Sequence, residues 1–263
     1  MKRILVAAGI AALMMLVGSG NAAAQDDEGP NYQVVPVEDW VCTYNEGKGP
    51  ADLKKANDAW NEWMDEAGRH DYYAATLTPQ FHADMSFADV LWLGSWKDGN
   101  AMGAGLDAYL SADAAEVGEL YTEVITCKSH SSWISMTIRP IPESDDSETD
   151  NNFVLSASDC SFKKEGEDVF EEFMAAQAAW NAYADEVGIR NSAWLWWPLA
   201  GVEDPDYDFK YIVGEDNHTT SGANWQKYAE GHWRKSEELF EDLIDCDVAR
   251  VYDGTTVRRM GEE

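Results

Sequence analysis

Basic residues are scarce in this chain. Nineteen lysines and arginines stand against 49 aspartates and glutamates, a formal net charge of −30 over 263 residues. A surface of that sign repels nucleic-acid phosphates and anionic headgroups, so neither is an expected partner. It suits a saline medium and favours cationic or neutral ligands. Cysteines number only 4, with no C-x-x-C and no paired histidines, so no metal site is expected. The chain has no G-x-S-x-G, no H-E-x-x-H, no Walker loop and no dinucleotide fingerprint, which removes the hydrolase and nucleotide-binding classes those motifs serve. The glycine-rich run at residues 99–105 lacks the lysine and spacing of a phosphate loop and reads instead as a close helix contact. Long apolar runs are missing beyond the first 24 residues. The one that exists, residues 4–17, follows Met1–Lys2–Arg3 and precedes Ala22–Ala23–Ala24. That pattern is a secretory signal peptide over residues 1–24, shorter than the roughly 20 apolar residues of a spanning helix. The expected product is soluble, periplasmic or secreted, with no membrane insertion once the signal is removed.

What the chain has instead is tryptophan, 12 in all, and repetition. Residues 59–68 read A-W-N-E-W-M-D-E-A-G and residues 179–188 read A-W-N-A-Y-A-D-E-V-G. Around them, Leu53, Ala56, Trp60, Trp63, Met64 and Ala67 fall at helical spacing, as do Phe173, Ala176, Trp180, Tyr183, Ala184 and Val187. Gly68 and Gly188 follow as C-terminal stops, and Pro50 opens the first helix. Shared period, phase, tryptophan and terminator make this a tandem duplication. Each copy then shows an aromatic or β-branched strand, a helix, two strands, a second helical region and a last strand, a β-α-β-β-α-β order. The division expected is residues 25–140 for the first repeat, 141–151 for an acidic linker and 152–263 for the second.

Cys42 and Cys160 open the two copies, and Cys127 and Cys246 sit near their ends at nearly equal spacing. In an exported chain an even count reads as disulfides, and the repeat symmetry favours Cys42–Cys127 with Cys160–Cys246.

β-α-β-β-α-β is the ferredoxin-like order, four antiparallel strands with both helices on one face. Duplicated as it is here over residues 38–140 and 152–259, it resembles the dimeric α/β-barrel superfamily. That superfamily includes antibiotic-biosynthesis-type monooxygenases and the tandem, haem-binding chlorite-dismutase-like proteins. The resemblance implies an α+β fold of two ferredoxin-like repeats packed sheet to sheet as a pseudo-dimeric barrel, the second copy standing in for a partner subunit. It also implies that the end of strand one lies beside the start of strand four, where Cys42 and Cys127 fall.

The candidate site residues follow from this frame. Trp92, Trp96, Trp194 and Trp196 alternate along their strands, and with Tyr211 they either line a cleft for a planar apolar ligand or fill the space between the sheets. Asn61 and Asp65, like Asn181 and Asp185, lie one helical turn apart. The aspartates occupy last turns, where the helix dipole disfavours negative charge, and Arg69 and Arg190 are the expected counter-charges; a functional polar pair is the other reading. Of the five histidines, His232 is the candidate haem ligand, although a solvated histidine is the simpler reading and no cofactor is expected. The expected function is binding of a small apolar or aromatic molecule in a Trp-lined cleft. An oxygenase-like enzyme, cofactor-independent or haem-dependent, and a structural protein with a filled aromatic core are the alternatives.

Overall fold

The computed structural model describes residues 33–140, 151–166, 168–203 and 205–261. The expected signal peptide and residues 141–150 of the expected linker lie outside them. The first half runs β1 (Val34–Tyr44), α1 (Pro50–Glu66), β2 (Tyr72–Phe81), β3 (Val90–Trp96), α2 (Gly99–Tyr109), α3 (Ala115–Val124) and β4 (Ile125–Arg139). The second runs β5 (Asn152–Phe162), α4 (Val169–Glu186), β6 (Ser192–Ala200), β7 (Phe209–Glu215), α5 (His218–Lys227), a π-turn, α6 (Trp233–Phe240), β8 (Ile244–Cys246) and β9 (Arg250–Arg258).

The helix ends follow local chemistry. Pro50 occupies the first turn of α1, where a missing N–H costs nothing. Gly68 and Gly188 both take positive φ, 64° and 71°, and the next residue of each donates back into its helix, Arg69 to Met64 and Ile189 to Ala184, at 2.8 Å. Asp98 caps α2 and Asn217 caps α5 through side-chain acceptors.

All strand pairs are antiparallel. The first half pairs in the order β4–β1–β3–β2 and the second in the order β9–β5–β7–β6, with β8 extending the ladder on β5. The two groups join at both edges, β4 to β6 and β2 to β9, and so close an eight-stranded barrel among the described residues. Closure removes every long unpaired edge. The closed barrel agrees with the α+β barrel that the resemblance implies, while the space expected as a cleft between two sheets is packed core. The halves share one continuous barrel, whose interior is packed by Val37, Val41, Leu91, Leu93, Trp133, Leu155, Trp196, Ile212 and Tyr252. At one end of that interior Asp159 pairs with both Lys210 and Arg250, at 2.5 and 2.9 Å.

Both predicted disulfides are present, Cys42–Cys127 and Cys160–Cys246, closing sequence separations of 85 and 86 residues. In each half the bridge joins register partners, on β1 and β4 in the first and on β5 and the short β8 in the second.

Last-strand arginines clamp the halves together. Arg139, at the end of β4, donates to Asp185 at 2.6 Å and to the carbonyls of Asn181, Ile189 and Asn191 at 3.0 Å. Arg258, at the end of β9, reciprocates across the barrel, bonding Asp65 at 2.8 Å and the carbonyl of Arg69 at 2.6 Å. Asn61 and Asn181 donate to the backbone one residue earlier, at Val257 and Ile138. The counter-charges are therefore Arg258 and Arg139 from the opposite half, rather than Arg69 and Arg190. The barrel's edge pairings bring each strand end under the other half's helix. These polar pairs are bound up in joining the halves.

Candidate functional site

In the first half the helices do not close onto the sheet. A cavity of about 400 Å3 lies between the outer face of β1, β2 and β3 and helices α1 to α3. Its walls are aromatic: Trp60 and Trp63 on α1, Tyr72 on β2, Trp92 and Trp96 on β3, Tyr109 on α2 and Tyr121 on α3. The Trp60 and Trp92 rings meet edge to face, 5.1 Å apart at 87°, and Tyr121 packs against Trp92 at 81°. The disulfide Cys42–Cys127 also lines it.

One charged side chain faces this space. Glu38 on β1 is buried, and its two oxygens accept from Tyr72 Oη at 2.7 Å and from His130 Nε2 at 2.6 Å. A carboxylate has only acceptors to offer, so the Nε2–H tautomer of His130 is the one that fits. Trp92 Nε1 donates to Tyr72 Oη at 2.9 Å, which completes a relay from indole to phenol to carboxylate. Burial, and next the adjacent Glu38, hold the Tyr72 hydroxyl well above its ordinary pKa, so it remains a donor. His130 stacks flat on Trp40, 3.6 Å between centroids, and is more exposed than Glu38, 37% against 8%. It links the buried acid to the surface.

Gly94 makes the relay possible. It pairs with Glu38 in the ladder, and the Tyr72 phenol crosses directly over it; a Cβ there would meet the hydroxyl at 1.8 Å. Gly105 serves the same end on the helix side, since its missing Cβ admits the Trp96 ring, and this is the close contact expected of the glycine-rich run. The indole N–H of Trp96 is buried with no acceptor among the described residues.

The sequence-derived candidates divide. Trp92 and Trp96 line the cavity. Trp194 and Trp196 do not join them: they pack inside the barrel. Tyr211 lies under α4, its hydroxyl donating to Gln177 at 2.9 Å. Alternation put each pair on one face, but the two pairs face opposite ways. Glu38, Tyr72 and His130 escaped the sequence reading. A glutamate in a strand whose neighbours on the same face are apolar or aromatic was the available signal, and Trp40 two residues on is such a neighbour.

The arrangement does not fit a histidine-ligated haem. No histidine is among the residues lining the cavity, and Met64 is the only soft unbridged donor there. His232 holds Tyr183 Oη through Nδ1 at 2.6 Å on the other half, away from this space. Among the described residues no group of three or more histidine, cysteine, aspartate or glutamate side chains is placed to hold a metal ion.

No protein-family model matches the chain, and no curated protein sequence matches it. Solved structures do. A candidate monooxygenase from Lactobacillus acidophilus superposes with a TM-score of 0.52 at 10% identity, covering 87% of this chain and 97% of that one. A haem-binding protein from Thermus thermophilus gives 0.49 at 10% identity over 86% and 93% of the two chains. A chlorite dismutase from Candidatus Nitrospira defluvii gives 0.48 at 10% identity over 85% and 92%. The fold is thus similar to that of the dimeric α/β-barrel proteins.

Proposed function

We propose that the first-half cavity is a small-molecule site, holding a planar, largely apolar body between Trp60, Trp92 and Trp96 with its polar end at Glu38. The observation that carries this reading is a desolvated carboxylate set in an aromatic chamber. An aromatic core needs no buried acid, and burying a charge is costly even where, as here, Tyr72 and His130 donate to it. A ligand that meets it turns the cost into selectivity. Tryptophan fluorescence tests the reading: a small planar aromatic should quench it saturably with one site per chain, and Trp92→Leu should weaken binding. Quenching that never saturates would end the proposal.

Catalysis is favoured over passive binding by the Glu38–His130 contact. It places a proton acceptor in a water-poor site with a neighbour open to solvent. An oxygenase-like enzyme without a cofactor is the class this suits, and the fold is shared with a candidate monooxygenase. A hydroquinone would serve as a self-contained probe: two electrons and two protons leave it for oxygen, giving quinone and hydrogen peroxide. Oxygen uptake that Glu38→Gln abolishes while binding persists is the expected result; uptake indifferent to Glu38 would leave a binder.

We further infer that the chain is a fused pair of ferredoxin-like repeats, residues 25–140 and 152–263, joined by an acidic linker. The matching strand orders and paired disulfides support this. The disulfides also support export to an oxidising compartment, and no helix among the described residues is long and apolar enough to cross a membrane.

A further inference from the structure

We propose that the cavity selects a cation, an ammonium group carried on a small aromatic or apolar body. This rests on the small-molecule reading above and narrows its ligand class. Glu38 is the only charged side chain lining the cavity, and its own side chain is 8% exposed. Each of its oxygens has one protein donor, at 2.7 and 2.6 Å. A carboxylate accepts about four hydrogen bonds, so capacity remains for a ligand N–H at this spot. The surrounding walls add to the same preference. Aromatic faces carry negative charge density and attract cations, most strongly when desolvated. Trp60 and Trp92 line the cavity at 87° to each other, and it is ring faces, not the electropositive edges, that attract a cation. Tyr72, Trp96 and Tyr109 continue the enclosure, and lysine and arginine are absent from the lining.

Two observations outside the cavity point the same way. The net charge of −30 gathers cations at the surface and excludes anions before any contact forms. The acid is also no part of the duplicated frame. The ladder register that pairs Glu38 with Gly94 pairs Ser156 with Val213 in the second half. A buried carboxylate present on one side only, where the cavity is, belongs to what the cavity holds rather than to the barrel.

Calorimetric or fluorescence titration of the full chain decides the matter with two probes of one shape, benzylammonium and its neutral carbon isostere ethylbenzene. The cation should bind at least tenfold more tightly, and Glu38→Gln, which keeps size and acceptor, should erase most of that gap. Trp92→Leu should weaken the cation more than the isostere, because leucine fills space without a ring face. Equal affinities, or a gap that survives Glu38→Gln in a variant with native near-ultraviolet dichroism, would overturn the charge selection and leave the small-molecule site standing. Failure of both probes to bind the unmodified protein would overturn the site itself. The unmodified comparison needs no variant to fold.

Discussion

The two halves of the barrel share a frame and differ in what lies beneath their helices. In the first half that space is a cavity around Glu38. In the second it is filled, with Phe162, Phe173, Trp197, Phe209 and Phe240 in mutual ring contact at about 5–6 Å. The register shows how. Cys42 pairs with Val90 on one side, and Cys160 pairs with Phe209 on the other. Leu53 occupies in α1 the place that Phe173 holds in α4, and Gly94 gives way to Val213. Larger side chains stand at these matched positions of the filled half, and the Gly94-to-Val213 exchange falls where the Tyr72 phenol crosses the first half's strand. Both halves carry the disulfide, the helix stop and the arginine clamp, while the cavity lies in the first.

The largest effect should come from emptying the filled half. Phe173→Ala removes a fully buried ring and should cost about 3–5 kcal/mol in a denaturant melt. The reverse exchange, Gly94→Val, should copy the second half into the first, push the Tyr72 phenol off Glu38 and abolish probe binding. If Gly94→Val binds as before, the comparison of the halves is wrong at its root.

Next come the clamps. Arg139→Met and Arg258→Met leave backbone carbonyls without donors and should each destabilise by about 1–3 kcal/mol. Little of this belongs to the aspartates, since Asp185 and Asp65 are 72% and 62% exposed and screened. The Arg139 value should be the larger, since that guanidinium serves three carbonyls and Arg258 one; the reverse order would break the comparison.

High pH probes the buried phenols on both sides. Burial raises Tyr211 and Tyr252 from 10.0 to about 12. The folded state then binds protons that the unfolded state has released, so stability is full below pH 10 and falls as pH rises towards 12. Phenolate absorbance should lag that of a denatured control across this window. Coincident curves would place these hydroxyls in water.

The smallest expected signal is from haem. Titration of the purified chain should give no Soret band of a histidine-ligated iron. A band lost in His232→Ala would move the site to the second half and reverse the comparison.

Much of the frame was legible in the residues alone because it is written locally. Pro50, Gly68 and Gly188 act within one turn of their own helices, and the duplicated Trp-Asn segment fixes its phase without reference to anything distant. The disulfide pairing could be read because symmetry limited the choices. The site was harder to see. Trp92 and Trp194 have the same alternating pattern, yet one faces the helices and the other the barrel axis. Asp65 has an arginine four residues away in sequence, but the arginine it binds comes from the far end of the chain.

The succession of strands and helices and the helix limits were set by the sequence itself, since each depends on the φ/ψ preferences and periodicity of neighbouring residues, and the bridges could be read from the matched cysteine spacing. The closure of the barrel, the side each tryptophan faces and the meeting of Glu38 with Tyr72 and His130 were decided by the tertiary structure. Those depend on which strand edges pair and in what register, and a shift of one residue would turn every one of these side chains to the opposite face.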